Sequence, residues 1–169
     1  MTDTTSDLAD RRVGIVVGSR SDIAAAERAM AVLDELGVDS EIRVISAHRA
    51  PELLSRFIAG AEGRGIRVFI AIAGLAAHLP GVVASQTTLP VIGVPMAGGV
   101  SDGLDALLAI VQMPKGVPVA TVGVGNGENA ALLAAAILAV GDPALGARLA
   151  ARRADQAAAI AGDPANEGL

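Results

Sequence analysis

The chain has 169 residues and a net charge of −5, with 52% hydrophobic residues, two histidines, two phenylalanines and no cysteine, tryptophan or tyrosine. That length fits one domain with a sizeable core. The missing thiols exclude disulfides, thiolate metal sites and cysteine nucleophiles, and an acidic surface with almost no stacking rings argues against nucleic acid as a partner.

No apolar run reaches membrane-spanning length, so no membrane association is expected. Met1–Asp10 carries no basic segment followed by an apolar one, so the expectation is a cytoplasmic protein without a signal peptide. Abundant Ala, Val, Ile and Gly with little bulk point to close-packed elements and to a homo-oligomer.

Residues 1–11 read as a flexible tail, 12–161 as a single domain that includes a C-terminal helix, and 162–169 as a second flexible tail. Val13-Gly14-Ile15-Val16-Val17 is a nearly continuous β-branched run, as in a strand buried on both faces. Gly18–Asp22 is its loop, and apolar spacing predicts a helix from Asp22 to Leu36, stopped by Gly37. Glu41–Ile45 is a second strand. Pro51 suits the first turn of a helix running to Glu62. Arg67–Ala73 is a third strand, followed by a loop and a short helix ending near Gln86. Pro90–Pro95 is a fourth strand, and a Gly-rich loop over 97–103 leads to a helix through Val111. Val117–Val124 is a fifth strand. Helices over Ala130–Val140 and Pro143–Ala161 complete the pattern.

Five apolar strands alternating with helices specify an α/β fold: a three-layer αβα sandwich with a parallel five-stranded sheet, flavodoxin-like. Ligands of such sheets bind at the carboxyl ends of the strands. The polar residues and glycines concentrate in the loops that follow those ends.

Gly18-Ser19-Arg20-Ser21-Asp22 offers a close-approach glycine, two hydroxyls and a helix start. It reads equally as an anion-binding loop and as a plain helix cap by Ser21 or Asp22. His48 and His78 each follow a strand and an alanine and precede a proline. His48, beside Arg49, suits a proton carrier next to a bound anion. Asp22 is placed to orient that imidazole, while His78 either positions substrate or caps its helix. A facial triad of His48, His78 and Asp22 is the one metal arrangement available, and the spacing gives no local ligand pair in its favour. There is no Gly-x-Ser-x-Gly elbow, and no aromatic near these loops for a flavin to stack on. Proton-shuttle chemistry on a phosphate-bearing small molecule remains.

Read together, Gly18–Asp22, Ser46–Pro51, Ala76–Gly81, Leu89–Pro95, Ile110–Thr121 and Asn129–Ala134 resemble, in order, the motifs of the PurE family of purine biosynthesis, the N5-carboxyaminoimidazole ribonucleotide mutases. The resemblance covers about Val13–Leu145. It implies a homo-octamer with sites at subunit junctions, a ribonucleotide substrate, and no metal, ATP or organic cofactor. It implies that a carboxylate leaves N5 as CO2 and reattaches at C4. His48 matches the general acid/base and Asp22 joins it as a catalytic residue. Ser19, Asp22 and Arg49 match substrate-binding positions, and Ser46, Gly74, Ala76 and His78 match positions around the phosphate, ribose and CO2. Gln112, Met113 and Pro114 match a segment that completes a neighbouring subunit's site.

The chain departs from the family's bacterial pattern at Leu75, where a glycine is usual, in the loop Met96–Gly103, and in the short segment Val124–Asn129, which is more like that of archaeal members. Direct carboxylation of aminoimidazole ribonucleotide by CO2 is the alternative activity, and a non-catalytic nucleotide-binding module a further one.

Overall fold

A computed structural model describes residues 12–168. The expected tail at residues 1–11 lies outside the described residues. Strands β1 (Arg12–Val17), β2 (Ser40–Val44), β3 (Ile66–Ala73), β4 (Val91–Pro95) and β5 (Ala120–Thr121) form one sheet in the order β2-β1-β3-β4-β5. Every pairing is parallel. This is the flavodoxin-like order, in which the chain reverses direction across the sheet between β1 and β3.

Helices α1 (Ile23–Glu35), α2 (Pro51–Ala59), α3 (Leu79–Ala84), α4 (Leu104–Val111), α5 (Gly127–Ala139) and α6 (Pro143–Ala161) cover the two faces. Because strand side chains alternate, the β-branched runs feed both layers. Val13, Ile15, Val17, Val68, Ile70 and Ile72 pack with the alanines of α1 and α5 on one face. Val16, Phe69, Ala71 and Val91 pack with Leu54, Phe57 and Ile58 of α2, Val83 of α3 and Ile110 of α4 on the other. Small side chains let α1 and α5 approach closely: a Cβ on Gly127 would sit 2.3 Å from the carbonyl oxygen of Ala25.

Most boundaries shift by one or two residues from those read in the sequence, and three elements shift by three or more. Helix α2 stops at Ala59, with Gly60 as its C-cap, and a separate 3-10 turn occupies Glu62–Arg64. Helix α5 begins three residues early because the Asn126 side chain accepts the Asn129 N–H at 2.9 Å. The expected fifth strand over 117–124 shrinks to two residues paired in register, Ala120 and Thr121. Pro118 has no N–H for a ladder and Gly123 weakens the far end, where only the Val122 N–H to Gly93 O at 3.1 Å and the Gly125 N–H to Pro95 O at 2.8 Å continue the contact with β4.

Helix α6 is fastened by its first half. The Asp142 carboxylate accepts the Ala144 N–H, Leu145 is fully buried, Arg148 Nε donates to the Leu36 carbonyl at 2.8 Å, and Arg152 pairs with Glu35. A 3-10 turn at Pro164–Asn166 follows, capped by Asp163. At the opposite edge, Glu41 of β2 is buried between Arg43 at 2.6 Å and Arg64 at 3.1 Å. Arg64 also lies over the Phe57 ring and donates to its carbonyl. No helix among the described residues is long and apolar enough to cross a membrane.

Candidate active site

An open cleft of about 680 Å³ lies along the carboxyl edge of the sheet. It is lined by the loops after β1, β2, β3 and β4: Gly18 to Asp22, Ser46 to Arg49, Ala73 to Leu79, and Met96 with Ala97. Ser19, Asp22, Ser46, His48, Arg49, Gly74, Ala76 and His78, all named from the sequence, line this one space.

One wall is polar. Ser19 Oγ accepts the Ser21 N–H at 3.4 Å and so caps the 3-10 turn Arg20–Asp22. The sequence reading gave that cap to Ser21 or Asp22. Instead, Ser21 Oγ donates to Asp22 Oδ1 at 3.0 Å, and Asp22 starts α1 without a side-chain capping bond. Ser46 Oγ accepts from both Arg49 N at 3.2 Å and Arg49 Nε at 3.4 Å, and Arg49 Nη2 reaches the Gly18 carbonyl at 3.5 Å. These bonds tie the guanidinium across β1 and aim it along the cleft. Among the described residues no carboxylate lies within ion-pairing distance of Arg49. Helices α1 and α2 also start at this edge, and unpaired first-turn N–H groups favour an anion there. The polar wall carries the kinds of group that suit a phosphate or carboxylate.

The two histidines meet. His48 Nε2 lies 2.8 Å from His78 Nδ1, with the rings edge to face at 86° and their centroids 5.0 Å apart. This corrects two expectations. The imidazole of His48 is oriented by His78, and no hydrogen bond joins it to Asp22. His78 is the residue before α3 but makes no side-chain capping bond, because its ring is turned to His48. One of the two facing nitrogens must carry the hydrogen and the other must accept it. The arrangement is a two-base relay that can pass one proton between its ends. Among the described residues no group of three His, Asp or Glu side chains is gathered to hold a metal ion.

The other wall is apolar, made by Ala73, Gly74, Leu75, Met96 and Ala97. Leu75 and Ala77 both have positive φ, 56° and 39°. For residues with a side chain this conformation costs about 1–2 kcal/mol each. Ala77 is buried in the core, whereas Leu75 is 62% exposed. A Cβ on Gly99 would meet Leu75 Cδ2 at 2.8 Å, so Leu75 touches the loop after β4. That loop is held by Asp105, whose carboxylate accepts the Val100 N–H at 3.1 Å. Neither Asp105 nor the lining role of Met96 was read from the sequence. The position of Met96 right after β4 is the one signal that marked it.

Gln112, Met113 and Pro114 do not line the cleft of their own chain. Met113 instead packs its sulfur against Gly81 of α3, where a Cβ would come within 3.0 Å.

Comparison with known proteins fits this geometry. A family model described as AIR carboxylase matches residues 12–159. The N5-carboxyaminoimidazole ribonucleotide mutase of Methanocaldococcus jannaschii is 57% identical over 135 residues, covering 80% of this chain and 83% of the relative. The enzyme of the same name from Mycobacterium tuberculosis is 54% identical over 151 residues, covering 88% and 87%. The crystal structure of Treponema denticola PurE superposes with a TM-score of 0.85 at 28% identity, covering 94% of this chain and 99% of that one. The match takes in all four loops of the cleft, and the chain belongs to the AIR carboxylase family.

Proposed function

We propose that this chain is an N5-carboxyaminoimidazole ribonucleotide mutase of purine biosynthesis, moving a carboxylate from N5 of its substrate to C4 of the imidazole ring. The observation that carries the reading is the contact between His48 and His78 beside Arg49, which has no carboxylate partner among the described residues. Relatives bearing the mutase name at 54–57% identity support it.

The reaction needs one proton delivered and one removed. The N5–carboxyl bond breaks with its electron pair left on nitrogen, which takes a proton, and CO2 is released. The electron-rich C4 then supplies the pair for a new carbon–carbon bond to CO2. The hydrogen still on C4 leaves as a proton, restoring the aromatic ring. His48 gives the first proton and takes back the second, and the net charge of the site is unchanged. His78 holds the His48 ring and accepts or returns a proton at its Nδ1. Arg49, Ser19 and Ser46 hold the phosphate side of the substrate, with Asp22 on the ribose side. This balance needs no oxidant and no ATP.

The homo-octamer implied by the sequence resemblance and the cytoplasmic setting belong to the same reading. Leu104, Leu108 and Val111 of α4 form an apolar stripe about half exposed, with Val100 beside it, which supports burial against other subunits. Gln112–Pro114 directly follow this stripe, in line with a contribution to a neighbour's site.

The purified protein is expected to convert N5-carboxyaminoimidazole ribonucleotide to the C4-carboxylate without ATP. A folded protein with no conversion would refute the assignment. A second reading, direct carboxylation of aminoimidazole ribonucleotide by CO2, is favoured by one feature: Leu75 adds to an apolar wall, which suits an uncharged gas. Supplying only that ribonucleotide and bicarbonate separates the two. Efficient turnover selects the carboxylase, and a requirement for the N5-carboxylated substrate selects the mutase.

A further inference from the structure

We propose that Leu75 retains carbon dioxide in the cleft between its release from N5 and its capture by C4. The inference rests on the mutase reading and deepens it.

Leu75 sits where glycine is the residue of least cost. The Ala77 N–H bonds the Gly74 carbonyl at 3.0 Å, closing a turn with Leu75 and Ala76 at its centre. Leu75 has positive φ and Ala76 does not. Positive φ at the first central residue alone is the pattern that type II′ turns reserve for glycine. Ala77 is strained too, but its methyl group is buried in the core, which accounts for it. Leu75 has no such compensation, because its side chain is mostly exposed. A glycine would satisfy the turn and expose less apolar surface. Strain held beside a cleft with only a rim contact at Gly99 to offset it points to function.

The chemistry of the cleft names what Leu75 acts on. Carbon dioxide is uncharged, has no hydrogen to donate and accepts weakly. The wall of Ser19, Asp22, Ser46 and Arg49 suits the ionic and hydroxyl groups of the ribonucleotide and offers CO2 little. Ala73, Gly74, Leu75, Met96 and Ala97 form the apolar wall. Between the two bond changes the CO2 is attached to nothing, and escape to water loses it to the dissolved pool of carbon dioxide and bicarbonate. Leu75 lines the cleft while remaining exposed, so it stands at the rim of that wall. Its Cδ2 reaches toward Gly99 and bridges the turn after β3 and the loop after β4. It shields the gas from water at the point where two loops would otherwise leave a gap.

The test supplies substrate with 13C in the N5-carboxylate, in unlabelled bicarbonate, with carbonic anhydrase added to capture escaped CO2. The unaltered protein is expected to carry its label to C4. Leu75→Gly and Leu75→Ala are both expected to lower label retention about threefold or more with little change in KM, and Leu75→Met to restore it. The glycine variant relaxes the backbone and the alanine variant does not, so a shared loss assigns the effect to the side chain. Full retention in both shortened variants overturns the inference and leaves the mutase reading standing. Loss in the glycine variant alone, or an unaltered protein whose product is already unlabelled, overturns it as well. No product from the folded, unaltered protein overturns the mutase reading and this inference together.

Discussion

His48 and His78 lie thirty residues apart in sequence and share one hydrogen bond, Nε2 to Nδ1 at 2.8 Å. The bond fixes the rotation of both rings and gives His48 a partner that is itself a base. A carboxylate in that place would hold the ring and stabilise its charged form. An imidazole can instead exchange roles with it.

His48→Asn is expected to abolish conversion while ligand binding survives, since asparagine keeps the polarity and loses the transferable proton. His78→Asn can still hold the ring of His48 but cannot relay. Its kcat is expected to fall about 100-fold with KM nearly unchanged, at the low end of acid–base contributions. Steady-state kinetics on both variants check this, and an unchanged kcat for His78→Asn would reduce His78 to a spacer.

Among the described residues the Arg49 guanidinium bonds Ser46 Oγ and the Gly18 carbonyl, both neutral oxygens. Its charge is therefore available to a ligand. Arg49→Ala is expected to raise KM about 10–100-fold, the loss of one or two charge-assisted bonds. Arg49→Lys should recover only part, because a point charge cannot reproduce the planar fork. Equal KM in all three proteins would move the anion site elsewhere.

Gly127 permits the contact of α5 with α1. Gly127→Ala is expected to destabilise the fold by about 1–3 kcal/mol or more, because the backbone of Ala25 must move to admit a methyl group. Denaturant unfolding measures it. An unaffected midpoint would show that the two helices part without cost.

Arg64→Met removes one of the two arginines paired with Glu41, together with the guanidinium that lies over the Phe57 ring and bonds its carbonyl, and keeps only an apolar stem. A loss of about 1–3 kcal/mol is expected, since a buried carboxylate is left with less compensation. Glu41→Gln in the same background should return part of it. Additive losses in the double variant would show that the two side chains act independently.

The sheet was legible because β1, β3 and β4 are nearly unbroken runs of branched side chains, which suit strands buried on both faces. The fifth strand was overread for the same reason: Val117, Val119, Val122 and Val124 look like a strand, but Pro118 and Gly123 prevent most of the ladder. The cleft residues were legible from their places after strands. Their pairings were not. Loop order puts Asp22 next to His48, yet side-chain direction, which no spacing encodes, joins His48 to His78. The cost at Leu75 was likewise hidden, since a sequence shows a leucine in place of glycine but not the φ of 56° it must adopt.

In the sheet, β1 separates β2 from β3, and the two histidines extend from the ends of those outer neighbours. Two strand spacings span about 9.5 Å, and the rings lean inward across that gap until they touch. No side chain of the strand between them, Arg12–Val17, lines the cleft, yet that strand acts as the gauge block of the chemistry. Its hydrogen bonds to both sides, the Ile45 N–H donating to Val17 O at 2.9 Å and the Gly18 N–H donating to Ile72 O at 3.3 Å, set how far apart the two bases are mounted. The tolerance of the proton relay is thus machined into main-chain bonds that surface substitutions do not reach.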